Sequence, residues 1–134
     1  MFNNVMLVED DDVTMMLCKI NIRKTNFAQN LVCCENGLEA IKYLKLESEK
    51  PENDRNIPDL ILLDINMPVM NGWDFLEEFQ QNLFTFFSKT SIKILTSSID
   101  PRDIDKSKSF PAVNEFISKP LNRDILISLL EKHQ

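Results

Sequence analysis

The 134-residue chain contains no apolar run near the about 20 residues that a membrane-spanning helix needs, so no membrane association is expected. No leader is expected either. Met1 to Val8 is a short apolar run that meets Glu9, Asp10, Asp11 and Asp12, whereas a secretory signal starts basic and stays apolar for longer. Cations are in the minority: 15 Lys and Arg against 21 Asp and Glu leave a net charge of −6. That balance argues against the phosphate-backbone attraction on which nucleic-acid binding rests, but not against a protein partner with a basic patch. Cysteine is sparse. Cys18, Cys33 and Cys34 are odd in number and lack any CxxC or Cys/His zinc spacing. Cys33 and Cys34 are adjacent and in a strand would point to opposite faces. Reduced thiols in a cytoplasmic protein are the expectation. The only histidine, His133, sits at a chain end, where mobility argues against a metal or catalytic role. No repeat and no low-complexity tract is present.

What remains is ordinary globular composition, 43% hydrophobic and 27% charged, at a length that suits one domain over residues 1–134. Apolar runs alternate with stretches of helical period. Val5 to Val8 reads as a buried strand. Val13, Met16, Leu17 and Ile20 follow at i, i+3, i+4, i+7, the stripe of an amphipathic helix. Leu31 to Cys34 is a second strand, and Ala40, Ile41 and Leu44 mark a helix that starts near Asn36. Residues 47–56 (ESEKPENDRN) read as a polar surface loop. Leu60 to Leu63 is a third strand, preceded by Pro58 and ended by Asp64, and Phe75, Leu76, Phe79 and Leu83 mark a third helix. Ile92 to Leu95 is a fourth strand. Asp100-Pro101 reads as an N-cap with proline at the first helical position, opening a helix whose apolar stripe is thin: Ile104 and little else before Phe110. Val113 to Ile117 is a fifth strand, and Asn122 caps a last helix carrying Leu126, Leu129 and Leu130. Five strand–helix units with continuous apolar strands predict a parallel α/β sheet covered on both faces. Right-handed crossovers make it doubly wound.

In such sheets ligands bind outside the carboxyl ends of the strands. Those ends carry Glu9 and Asp10, then Asp64, then Thr96, Ser97 and Ser98, then Lys119-Pro120. Three carboxylates on one rim raise one another's pKa. A hard dication would relieve that cost, and oxygen-only ligands suit Mg²⁺ better than zinc. Asp11 or Asp12 reads as a cap of the first helix. Asp64 does not, because Ile-Asn-Met-Pro separates it from the helix that opens near Asn71-Gly72. A flavin-binding protein of similar architecture would place a phosphate beside the first strand, where this chain has Glu-Asp-Asp-Asp.

LVEDD (Leu7 to Asp11), PDLILLDINMPVMNG (Pro58 to Gly72), ILTSS (Ile94 to Ser98) and FISKP (Phe116 to Pro120) fall in this order, each at the end of a predicted strand. Together they resemble the receiver domain of two-component response regulators over essentially the whole chain, in its stand-alone, chemotaxis-regulator-like form. The resemblance implies a flavodoxin-like sheet of strand order 2-1-3-4-5. It also implies Mg²⁺ as cofactor, with Asp64 as phosphoacceptor. Asp10 matches the acid that binds Mg²⁺ directly, and Glu9 the outer acid that acts through water. Asn66 matches the position whose backbone carbonyl meets the metal. Thr96 matches the switch hydroxyl, Lys119 the lysine that contacts the phosphoryl group, and Phe116 the rotating aromatic. Lys119-Pro120 matches a bond that is cis in the family. Three departures stand out: Glu9 where many members have Asp, Ser97 beside the switch hydroxyl where Ala is commoner, and a switch aromatic without the tyrosine hydroxyl.

The implied function is a phosphorylation-dependent signal, not turnover of a substrate. A histidine kinase or histidine phosphotransfer protein would be the donor, docking on the first helix near Met15 and Lys19, and another protein would be the downstream target. The chain would be a monomer or weak dimer. With the last helix closing the sequence, output is expected through contact with that target. An aspartyl phosphatase would need a second acid two residues after its nucleophile, where this chain has Asn66. A receiver-like scaffold that is not phosphorylated, or an intermediate in a relay, is the alternative.

Overall fold

Val5–Val8 and Leu60–Leu63 are apolar without interruption because both faces of the sheet are covered there, whereas Lys93 and Glu115 interrupt two of the other strands and pair with each other at 2.8 Å. The computed structural model describes residues 1–97 and 99–133; Ser98, in the fourth-strand motif, lies outside them. The elements are β1 (Phe2–Val8), α1 (Asp12–Lys24), β2 (Ala28–Cys34), α2 (Gly37–Glu49), β3 (Leu60–Asp64), α3 (Gly72–Glu78), β4 (Ser91–Thr96), α4 (Pro101–Ser107), β5 (Val113–Ser118) and α5 (Arg123–His133). A 3₁₀ turn occupies Glu52–Asp54, and a π-helical turn, Phe79–Leu83, prolongs α3. All four strand pairings are parallel, in the order β2-β1-β3-β4-β5. The expected doubly wound, flavodoxin-like sheet is the observed one.

Alternation along the strands divides the core in two. Met6, Val8, Ile61, Leu63, Ile92 and Ile94 face Ala40, Ile41 and Leu44 of α2 and Phe75, Leu76 and Phe79 of α3. Val5, Leu7, Leu60, Leu62 and Leu95 face Cys18 and Ile22 of α1 and Leu126 and Leu129 of α5. Cys34 joins the first cluster while Cys33 packs against the second, as period-2 geometry requires. Burial pushes the Cys18 and Cys34 thiols up to about 11, so they are protonated at neutral pH. Side-chain caps set the helix starts. Asp11, Asn36, Asn71 and Asn122 accept from the backbone N–H three residues on, and Asp100 from that of Arg102.

Two expectations are corrected. The Val13, Met16, Leu17, Ile20 stripe does not face the sheet; those residues are 40–59% exposed. α1 instead packs through Met15, Cys18 and Ile22, an i, i+3, i+7 set on the opposite side of the helix. Spacing reveals an apolar face but not which of two faces the sheet covers. The stretch 47–56 is not wholly surface loop either. α2 runs on to Glu49, and the buried Glu47 accepts from the Asn56 backbone N–H and from Lys50, both at 2.6 Å. His133 stacks on Phe2 with ring centroids 3.8 Å apart.

Candidate functional site

The strand register sets the site. β1 and β3 run side by side with Val8 opposite Leu63, so Glu9 and Asp64 emerge together at the carboxyl rim. Asp64 lies opposite Leu95 of β4, and Thr96 opposite Ser118 of β5, which brings Thr96 and Lys119 to the same rim. The Lys119 N–H donates to the Thr96 carbonyl at 2.8 Å, and the Lys119–Pro120 peptide is cis.

Glu9 and Asp64 are almost wholly buried, at 2% and 4% exposure, while Asp10 is exposed. Each of the three offers a carboxylate oxygen, and these oxygens lie within 4.8 Å of one another. Lys119 Nζ stands between two of the acids, 2.8 Å from Glu9 Oε1 and 3.3 Å from Asp64 Oδ2. The longer arm of glutamate therefore takes the lysine more closely than Asp64 does. The Asn66 N–H donates to Asp64 Oδ1 at 3.1 Å, and the Asp11 N–H to Glu9 Oε2 at 3.2 Å. Burial pushes Asp64 up to about 7; the adjoining Glu9 carboxylate adds to the rise, and the Asn66 N–H and Lys119 oppose it. Burial also works against charge on Lys119, but Glu9 and Asp64 outweigh it and raise the lysine.

The donor set fits a small hard dication. Oxygens around Mg²⁺ sit roughly 3–4 Å apart, a span that fits within the 4.8 Å these three share. Glu9 Oε1 is buried and receives no well-directed hydrogen bond, only the charge of Lys119. A buried anionic oxygen of that kind is what a metal satisfies.

The loop after Asp64 is pinned from both sides. The Gly72 N–H donates to the Ile65 carbonyl at 3.0 Å, and a Cβ on Gly72 would stand 2.6 Å from Ile65 Cδ1 and 3.0 Å from the Asp64 carbonyl oxygen. Only glycine permits that approach. The Asn66 side chain is exposed. Thr96 is buried. Phe116 stands apart from the acids, opposite Ile94 on β5, half-buried against the α2–α3 core. Sequence reasoning passed over the contact of Lys106 and Phe110 with Trp73, whose residues lie far apart in the chain and form no motif.

The family model for the response regulator receiver domain matches residues 5–131. A two-component response regulator from Cytophaga hutchinsonii superposes with a TM-score of 0.84 at 32% identity, over 98% of this chain and 96% of that one. Response regulator Rcp1 of Synechocystis is 28% identical over 95% of this chain and 83% of its own. Its Mn²⁺-bound structure superposes with a TM-score of 0.73 at 26% identity, over 96% and 90% of the two chains. Chemotaxis protein CheY of Listeria monocytogenes is 28% identical over 95% of each chain. This chain belongs to the response regulator receiver family, a family of signalling phosphoacceptors with an acidic metal pocket. Among the described residues no helix is long and apolar enough to cross a membrane.

Proposed function

We propose that this chain is a stand-alone response regulator that takes a phosphoryl group onto Asp64. The observation that carries the reading is the buried Asp64 carboxylate, 3.3 Å from Lys119 and within 4.8 Å of acidic oxygens on Glu9 and Asp10. An Asp64 oxygen attacks phosphorus in line, and the bond from phosphorus to the donor imidazole breaks. The imidazole leaves with that electron pair and takes up a proton. Glu9, Asp10, Asp64 and the backbone carbonyl of Asn66 are the groups that would hold Mg²⁺, which supplies charge neutralisation between carboxylate and phosphoryl oxygens. Lys119 pairs with one phosphoryl oxygen as a point charge. Thr96 donates to another and, in moving toward it, opens space for Phe116.

Phe116 already lines a groove of about 460 Å³ between α4 and β5, with Ile99, Ile104, Phe110 and Val113. That groove is the surface on which a downstream protein would read the change. The donor, a histidine kinase or histidine phosphotransfer protein, would dock on α1, whose Val13, Met16, Leu17 and Ile20 are exposed beside the acidic rim. The setting is the cytoplasm, and the chain acts as a monomer or weak dimer.

The test is intact mass after incubation with acetyl phosphate, with and without Mg²⁺, for wild type and Asp64→Asn. One added phosphoryl group, only with Mg²⁺ and only on wild type, is the expected result. No gain under any condition would reject phosphorylation and leave a receiver-shaped scaffold.

A further inference from the structure

Of the seven residues of α4, only Ser107 is buried. Ile104 is 37% exposed, and Lys106 is exposed. So short a helix with so little apolar contact is weakly held by the core. Its carboxyl end nonetheless has a definite seat. Lys106 Nζ lies 4.6 Å from the centroid of the Trp73 ring. The buried Phe110 ring, just after the helix, stands 6.3 Å from the same indole at 32°. Its backbone N–H donates to the Ser107 carbonyl at 2.9 Å, so ring and helix end move together.

Trp73 is tied in turn to the acid pocket. It follows Gly72, whose N–H holds the Ile65 carbonyl and whose missing Cβ lets the backbone press on Ile65 and Asp64. The backbone that carries the indole is therefore pinned to that of Asp64, and Lys106 and Phe110 rest on the ring. The other end of α4 follows β4, which ends at Thr96 on the same rim. A shift at the rim thus reaches α4 at both ends. A cation on a ring face has no directional hydrogen bond to break and can slide.

We propose that Trp73 is the seat that holds α4 in its resting position through Lys106 and Phe110, and that occupation of the acid pocket releases α4 from it. The seat needs no phosphorylation; the release rests on the receiver reading. The route through Gly72 and Trp73 to the carboxyl end of α4 involves neither Thr96 nor Phe116. Because Trp73 is the chain's single tryptophan, its emission reports on the seat directly.

The experiment uses the full chain as wild type, Lys106→Met, which keeps the apolar stem, and Lys106→Arg, which keeps the charge. Hydrogen exchange over residues 101–110 and tryptophan emission are followed with and without acetyl phosphate and Mg²⁺, with intact mass read alongside. Without the phosphodonor, exchange of 101–110 should quicken at least threefold in Lys106→Met and return to the wild-type rate in Lys106→Arg, with the strands unchanged. In wild type, the phosphorylated form should show the same quickening and a shifted emission. Equal resting exchange in wild type and Lys106→Met would overturn the seat. A full gain of phosphoryl mass with unchanged exchange and emission would overturn the release. No gain of mass would overturn the receiver reading and the release with it, while the resting comparison still decides the seat.

Discussion

Burial beside Glu9 pushes the Asp64 carboxyl up to about 7, against an ordinary value of 3.8. The fold therefore binds that proton more tightly than the unfolded chain does. The sign follows: Asp64 costs nothing below about pH 4, where it is protonated in both states, and its full cost is present above pH 7. With divalent metal chelated at pH 8, Asp64→Asn should be more stable than wild type by about 2 kcal/mol. The difference should close as pH falls from 7 to 4. Urea titrations at both ends of that window check it, and a destabilised variant at pH 8 would contradict it. A second residue carries strain of another kind. Val69, in the loop after Asp64, has φ 68°, and around it the Met70 N–H donates to the Pro68 carbonyl at 2.7 Å. A β-branched residue in the left-handed region is an outlier, and the side chain, 77% exposed, gains no burial in return. Val69→Gly should raise stability by about 1 kcal/mol despite the added freedom of the unfolded chain, read as a higher urea midpoint at unchanged slope.

The strands were legible because a parallel strand buried on both faces leaves a plain apolar run. Leu60 to Leu63 could be read directly, and so could the acid at its end; Ile92 to Leu95 was legible despite Lys93, and its end carries the Thr96 hydroxyl. The helices were legible where capping and period agreed, as in α2 and α5. α1 was misplaced in rotation because it carries two apolar faces. The sheet takes the one with Cys18 and Ile22, and the larger side chains remain outside. Glu47 sits in a polar run that reads as loop, because nothing local announces that a backbone N–H nine residues on will pair with it. The exposed face of α1 has its own test. Leu17→Glu should slow transfer from a histidine phosphotransfer donor at least tenfold, a loss of about 1.4 kcal/mol in the encounter. Labelling by acetyl phosphate, which needs no docking face, should keep its rate. Equal slowing of both would mean that the substitution disturbs the acid pocket and not a docking surface.

For the whole molecule, the arrangement around β1 matters most. It pairs with β2 on one side and β3 on the other, so the acids of the first and third strand ends meet only once the full N-terminal half has assembled. None of these pairings is a local hairpin; each closes a crossover, which makes a fold of this kind slow to form. During that time Leu60, Ile61, Leu62 and Leu63 are unprotected, an uncharged, strand-prone segment bounded by Asp59 on one side and Asp64 on the other. Charges in such flanking positions keep exposed strands from adhering to one another. Asp64 thus serves the chain before it serves the site. The carboxylate that weakens the metal-free fold is one of two that guard this segment in the unfolded chain, and a variant without it would melt later yet aggregate sooner once melted, read as light scattering after heating.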